Sequence, residues 1–378
     1  MPIVVYILGI TIFSLTTSEF MVAGIMQSLT DYFGVSIALV GYLITLYAVG
    51  MVIGGPILTM IILRIKIPNK TALIGLLIIY GIIQAVSALS TSYEVMAFSR
   101  LISGVAGSTC FGIALAICAE CVGTELRGRA SSIVIGGLML ATVLGVPIAT
   151  IIDQHFGWRE SFWSVSILTI LCATVVSIKV PKSEHQNIIS LKKEIIELKS
   201  KNLWAAYLTS SLIIGSTFAA FSYFSHILSD VSGLPISYIP WVFGVYGVSN
   251  VIGNAIVGRY ADKHAVSIML LGLVILTFTM MALYFFANNL YVAIILIVII
   301  GLVGVPMNPA MISRVMSYAN PGALVNTVHT SFINIGLAVG TWLGGLTIAF
   351  GYGVLSPLWV GSTLAILGIV TLLPFIKR

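Results

Sequence analysis

The sequence predicts an all-α membrane protein of about twelve transmembrane helices in two pseudo-symmetric six-helix halves, and three observations carry that prediction. The composition is 59% hydrophobic and only 8% charged, with a mean hydropathy of +1.11, a make-up that would precipitate as a water-soluble fold. Apolar runs of spanning length recur along all 378 residues. The two halves also align with each other at one constant offset of 199 residues.

A helix needs about 20 apolar residues to cross a hydrocarbon core about 30 Å thick. The N-terminus enters such a run directly, without the basic start and small-residue cleavage site of a secretory signal, so residues 3–25 read as the first span. A break with Asp31 and Gly34 precedes the second, 37–62, and Arg64, Lys66 and Lys70 separate it from the third, 71–90. Glu94 opens the fourth, 94–118; Arg127 and Arg129 precede the fifth, 130–152; Arg159 and Glu160 precede the sixth, 161–179. In the second half, charged or Gly/Pro/Asn-containing breaks leave spans at 203–228, 237–257, 265–287, 290–312, 323–349 and 354–376.

The only polar stretch of any length contains SLKKEIIELKSK, where Ile188, Leu191, Ile195 and Leu198 recur at helical spacing opposite lysines. It predicts an amphipathic helix on the inner leaflet, either a linker that lets two halves move or a plain connector. The domain reading is therefore 1–180 for the first half, 181–202 for this cytoplasmic segment and 203–378 for the second half.

Basic residues fix the orientation. Arg64, Lys66, Lys70, Arg127, Arg129, Lys179, Lys182, Lys199, Arg259, Lys263, Arg314, Lys377 and Arg378 all fall on one alternating set of loops, whereas the other set carries Asp31, Glu94, Asp153, Glu160 and Asp230 against a lone Arg159. The positive-inside rule places both termini in the cytoplasm of a bacterium, in a multi-pass protein of its cytoplasmic membrane. The formal charge of +6 is thus a topology signal, and no nucleic-acid partner is expected because no basic stripe is interleaved with exposed aromatics.

At the offset of 199, Tyr47, Val49, Val52, Ile53, Gly54 and Ile57 meet Tyr246, Val248, Val251, Ile252, Gly253 and Ile256. The same register pairs Asp31 with Asp230, Gly34 with Gly233, Gly137 with Gly336, Thr142 with Thr341 and Gly145 with Gly344. Six helices separate the copies, an even number, so both enter the membrane in the same sense. Parallel repeats of this kind place a substrate path at their interface near the midplane.

A charge inside a span costs about 2.5–3.5 kcal/mol on insertion scales, which makes such residues functional candidates. Two stand well inside, Glu19 and Arg100. Glu19 lies about 24 Å along the first helix from its inner end and Arg100 roughly 9 Å below the outer start of the fourth, so both occupy the outer half of the core. They are either a protonatable carboxylate tuned by a neighbouring arginine or a structural pair joining two helices. Phe218, Phe221, Tyr223, Asn250, Asn254, Asn308 and Asn334 are candidate substrate contacts, aromatic walls with amide anchors; each taken singly also suits interhelical packing. The prolines Pro56, Pro147, Pro306 and Pro309 and the row Gly336, Gly340 and Gly344 serve either as hinges or as close-packing positions. Arg127, Arg259 and Asp262, with Glu120 and Glu125, form candidate inner gate pairs.

No G-x-x-x-x-G-K-[ST] loop or HExxH is present, and the histidines lie scattered, so an enzyme is not expected and an ion gradient is the expected energy source. The four cysteines, including the CxxC of Cys118 and Cys121, fall in or beside apolar runs and imply neither disulfides nor a metal site. No cofactor is expected; the partners are a small-molecule substrate, protons and the lipid bilayer, and the chain is expected to be a monomer.

Over essentially its whole length the sequence resembles the major facilitator superfamily. The resemblance rests on TSEFMVAG in helix one, RLISGVAG in helix four, RGRASS before helix five, LGVP within it, FGWRESFW entering helix six, FAAFSYF in helix seven, GNAIVGRYADK after helix eight and NIGLAVGTWLGG in helix eleven. Within that family it is most similar to the twelve-span drug:proton antiporters, near the chloramphenicol-resistance and arabinose-efflux exporters. The first-half loop departs from the family's Gly-x-x-x-Asp-Arg pattern, since Leu63 stands where the second copy has Asp262, and the helix-five antiporter signature is reduced to Gly145 and Pro147 after Gly136 and Gly137. The resemblance implies the major facilitator fold and a proton-coupled antiporter exporting a small amphipathic compound such as chloramphenicol by alternating access. A sugar, purine or other metabolite is the alternative cargo, and the polarity of the central cavity discriminates the two.

Overall fold

The computed structural model describes residues 1–122, 127–181, 198–319 and 323–375, and among them every regular element is helical. Among the described residues twelve helices are long and apolar enough to cross a membrane: α1 (Ile3–Gly24), α2 (Ile37–Ile62), α3 (Asn69–Ala88), α4 (Tyr93–Cys118), α5 (Ile133–Phe156), α6 (Trp158–Lys179), α7 (Lys201–Val231), α8 (Ile236–Ala261), α9 (Lys263–Phe286), α10 (Leu290–Met316), α11 (Val328–Tyr352) and α12 (Ser356–Phe375). The predicted fold class is therefore the observed one. The expected amphipathic segment falls largely on residues 182–197, outside the described residues.

Helix ends differ from expectation where charge was read as loop. Helix α6 begins at Trp158, immediately after Gly157 at φ 106°, with Glu160 in its first turn. An acidic side chain there complements the helix dipole and its unpaired N–H groups, so it starts the helix instead of preceding it. Likewise α8 runs through Arg259 and Tyr260, and only His264, at φ −134° and ψ 31°, separates it from α9.

Packing divides the chain into two compact units, residues 1–35 with 46–187 and residues 36–45 with 188–378. In the first, α1 packs against α5 and α6, α3 against α4 and α6, and α2 against α4. In the second, α7 packs against α11 and α12, and α8 against α10, while Gly361 and Gly368 of α12 lie against Met280 and Leu273 of α9. Gly272 of α9 lies in turn against Met307 of α10, so adding six to each helix number converts one set into the other. The repeat extends to the backbone: Gly34 and Gly233, paired at the offset of 199, are both left-handed, at φ 61° and 71°. Glycine adopts that conformation without a Cβ penalty.

The most enclosed helix of each unit, α1 and α7, is also rich in hydroxyls. Thr11, Ser14, Thr16, Thr17 and Ser18 on α1 and Thr209, Ser210, Ser216, Thr217 and Ser222 on α7 are buried. A helix screened from lipid by its neighbours can hold polar groups that bond back to its own carbonyls, as Thr11 does to Ile7 and Thr217 to Ile213.

Candidate functional site

Five side chains from four helices converge inside the first unit. Arg100 of α4 is fully buried, as are Ser18 of α1 and Tyr80 of α3, while Tyr47 of α2 is 2% exposed and Glu19 of α1 is 8% exposed. Arg100 Nη1 donates to the Ser18 carbonyl at 2.9 Å and to its Oγ at 3.1 Å, and Nη2 donates to the Glu19 carbonyl at 3.1 Å. The guanidinium carbon also lies 4.4 Å from the centroid of the Tyr47 ring. The Tyr47 and Tyr80 hydroxyls are 3.1 Å apart, and Tyr80 donates to the Leu15 carbonyl at 3.2 Å.

These contacts explain how an arginine can reside there. Hydrogen bonds to a charged group contribute about 1.5–3 kcal/mol each, and a desolvated cation over an aromatic face about 2 kcal/mol, together enough to offset an insertion cost of about 2.5–3.5 kcal/mol. The guanidinium takes the backbone of Glu19 in place of its carboxylate, which ties α4 to α1 and leaves the acid side chain out of the fork. Each charge still acts electrostatically on the other. Arg100 Nε has no hydrogen-bond partner among the described residues.

Glycines set the helix spacing around this cluster. A Cβ on Gly104 would stand 1.9 Å from the Tyr47 carbonyl oxygen, and one on Gly50 2.2 Å from that of Leu101, so α2 and α4 cross backbone to backbone beside Arg100. Gly107 faces the Tyr47 hydroxyl. Two glycines of RLISGVAG thus face the residue that stacks on its arginine. On the other side of α1, a Cβ on Gly145 would lie 2.1 Å from Thr17 Oγ1. Gly145 ends a π-helical turn, Ala141–Gly145, and Pro147 opens the following helix; a second π-turn, Gly50–Gly54, interrupts α2. Such bulges are frequent where helices bend at working sites.

The candidate substrate residues all lie in the second unit, and the structure separates them. Phe218 and Phe221 of α7 join Phe224, Phe243 and Tyr246 in one aromatic cluster, with Phe221 stacked on Tyr246 at 5.1 Å. Tyr223 instead donates its hydroxyl to the Thr341 carbonyl of α11 at 2.9 Å. Asn250 of α8 is 2% exposed, with neither amide atom in close hydrogen-bond geometry among the described residues although the Tyr246 hydroxyl stands beside it, and Asn308 Oδ1 of α10 is unpartnered among them. Asn334 is buried on α11, and Asn254 is half-buried one turn beyond Asn250.

Of the gate candidates, Arg259 is exposed at the end of α8. The side chains of Arg127 and Asp262 lie outside the described residues. Glu120 accepts from Asn69 Nδ2 at 2.8 Å, joining the start of α3 to the end of α4.

Sequence reasoning found the two charges and missed Ser18 and Tyr80; Tyr47 entered only as a partner of Tyr246 in the repeat. A tyrosine in an apolar run carries no insertion penalty large enough to draw notice. The repeat held a usable signal, however: the offset of 199 sets Phe218 opposite Glu19 and Ile299 opposite Arg100. The charged cluster belongs to one half alone.

The sequence profile of the Major Facilitator Superfamily matches residues 8–328. The chain belongs to this superfamily. Its similarity to individual transporters runs nearly end to end. A chloramphenicol resistance protein of Streptomyces lividans is 27% identical, over 99% of this chain and 96% of its own. The inner membrane transport protein YdhP of Escherichia coli (strain K12) is 29% identical over 92% and 89%, and AraJ of the same strain 25% over 92% and 88%. Among solved structures, a bacterial homolog of the human lysosomal transporter Spinster, inward-facing and occupied, superposes with a TM-score of 0.72 at 15% identity, covering 98% of this chain and 94% of that one. This superfamily member is a multi-pass bacterial membrane transporter of the secondary type, and its relatives are a non-enzyme class.

Proposed function

We propose that this transporter is a proton-coupled antiporter that exports a small amphipathic compound, with chloramphenicol the first cargo to test. The observation that carries the reading is the cluster at Arg100. An arginine buried at that depth is held by two carbonyls, a hydroxyl and an aromatic face, with one carboxylate, Glu19, beside it. Ionised Glu19 neutralises the local charge; protonated Glu19 leaves the arginine to its neutral partners. Proton uptake therefore changes the electrostatic balance between α1 and α4, and any conformational state that favours one balance is coupled to the proton gradient.

The cargo reading draws on the second unit. Asn250 and Asn308 carry desolvated amide atoms, which cost about 1–3 kcal/mol each unless a ligand or water completes them. Asn250, one helical turn along α8 from Tyr246, sets a polar anchor beside the aromatic cluster, the pairing of apolar surface with few polar groups that an amphipathic molecule requires. Similarity to a chloramphenicol resistance protein points the same way. The positive-inside pattern places both termini in the cytoplasm, the protein in the cytoplasmic membrane and residues 181–202 as the linker on its inner face. A monomer suffices for this chemistry.

The test is chloramphenicol susceptibility of a pump-deficient bacterial host. Wild type is expected to raise resistance at least several-fold, and Glu19→Gln and Arg100→Lys to abolish the gain at equal membrane abundance. An equal gain from Glu19→Gln contradicts the coupling role. No gain from wild type for chloramphenicol or other amphipathic drugs, with protection against a sugar or purine analogue instead, assigns a metabolite.

A further inference from the structure

The second unit holds a cavity of ≈ 590 Å³ that the transport reading does not use, at the end where α8 passes into α9. Lys263 and His264, from the break between those helices, stand exposed at its wall. Arg314 of α10 also lines it, although that residue is only 2% exposed. Arg314 Nη1 donates to Thr209 Oγ1 at 2.8 Å, and its guanidinium packs over Phe375 of α12 at 4.6 Å. Its Nε and Nη2 are buried and neither is in hydrogen-bond geometry with an acceptor among the described residues, the Tyr318 hydroxyl being the one polar side chain besides Thr209 that acts on the guanidinium there. No carboxylate is among the described residues that line the cavity.

A cation with two idle donors, in a cavity edged by another cation, is a site short of an anion. A planar guanidinium suits the tetrahedral oxygens of a phosphate group, which accept from two N–H groups at once. The rest of the lining supplies something a free phosphate would not use. Leu271 is 61% exposed, and with Leu270 and Val274 it continues the cavity wall along the apolar surface of α9. Charge at the helix end and hydrocarbon along its side match an anionic headgroup above an acyl chain.

The repeat supplies an independent argument. Ser313, Arg314, Ser317 and Tyr318 line the cavity from α10, and the offset of 199 sets Ala114, Leu115, Cys118 and Ala119 at the corresponding places of α4. Lys263, by contrast, corresponds to Arg64. A basic residue near the helix end thus recurs in both halves, as topology alone requires. The inward-facing polar set around Arg314 belongs to the second half only, as expected of a site added to the fold.

We propose that this cavity binds a phosphate-bearing anion, and that its occupant is the headgroup of an anionic phospholipid such as phosphatidylglycerol, held by Arg314 with Lys263 and His264. The bound lipid would brace the ends of α9, α10 and α12.

The experiment is native mass spectrometry of the purified full-length protein in a nonionic detergent, titrated with phosphatidylglycerol, with phosphatidylcholine, and with phosphatidylglycerol against inorganic phosphate. Wild type is expected to retain phosphatidylglycerol about tenfold more strongly than phosphatidylcholine. Arg314→Gln is expected to remove that preference and Lys263→Gln, at an exposed position, to weaken it by a few-fold. Arg64→Gln, the counterpart in the other half, is expected to leave it unchanged. Displacement of the lipid by millimolar inorganic phosphate, with loss of the phosphate effect in Arg314→Gln, keeps the anion site and overturns the lipid as its occupant. Equal retention of both lipids by wild type, or equal weakening by Arg64→Gln and Lys263→Gln with Arg314→Gln unaffected, overturns the site.

Discussion

Arg100 owes its place to partners that are mostly uncharged, and that divides the labour around it in a testable way. The Tyr47 ring faces the guanidinium, whereas the Tyr47 hydroxyl hydrogen-bonds with that of Tyr80. Tyr47→Phe keeps the aromatic face and removes one neutral hydrogen bond, a loss of about 1 kcal/mol; transport is expected to persist with a modest fall in thermal stability. Tyr47→Leu removes a cation–π contact of about 2 kcal/mol and is expected to abolish substrate-dependent proton flux while the protein still inserts. Equal behaviour of the two variants would show that the ring's π face has no part in holding the arginine. Glu19 and Arg100 were legible in the sequence because charge in hydrocarbon is costly enough to require a reason. Tyr47, Tyr80 and Ser18 were not, because each is ordinary in a helix and acquires its role only from the crossing of α1, α2, α3 and α4.

Helices in a membrane gain little from hydrophobic burial against one another, so close approach through small residues carries the packing. Gly104 and Gly112 lie on one helix, the first buried and the second exposed, and differ in what faces them. A methyl on Gly104 meets the Tyr47 carbonyl at 1.9 Å, whereas one on Gly112 meets nothing within 4 Å. Gly104→Ala is expected to lower thermal stability by about 1–3 kcal/mol and Gly112→Ala to leave it unchanged or slightly raised, as read by melting of the detergent-solubilised protein. Similar melting of the two variants would refute the backbone crossing. Gly145 admits a repair, because its obstacle is a side chain: Thr17 Oγ1, at 2.1 Å from the added carbon. Gly145→Ala is expected to impair both stability and transport, and Thr17→Ala to restore part of each in the double variant. Additive losses would show that α1 and α5 do not meet there. The sequence placed these glycines in motifs but could not choose between hinge and contact, a choice that depends on what faces each Cα. Helix ends were misread for a related reason: Glu160 at the first turn of α6 is a helix-starting charge at an interface and looks like a loop in one dimension.

Duplication is the feature the sequence conveyed most fully, because an unbroken offset of 199 survives in Asp, Gly and Tyr pairs that apolar chance does not produce. The matching helix pairings of the two units and the left-handed Gly34 and Gly233 are its structural form. What a linear reading could not convey is that residues 36–45, the first part of α2, belong to the second unit, since packing in space does not follow chain order. Nor does duplication extend to chemistry: Glu19 and Arg100 of one half have Phe218 and Ile299 as their counterparts in the other, so the proposed charge coupling and the proposed cargo contacts fall to different halves. The proposed antiport has drug movement and proton movement inseparable, with one carboxylate joining them. The decisive measurement is proton movement in liposomes containing the purified protein and an internal pH-sensitive dye when chloramphenicol is added outside. Wild type is expected to give a cargo-dependent pH change opposed in direction to drug movement, and Glu19→Gln to give none at equal reconstitution. An undiminished pH change in Glu19→Gln, or drug flux by wild type without any proton movement, would contradict it.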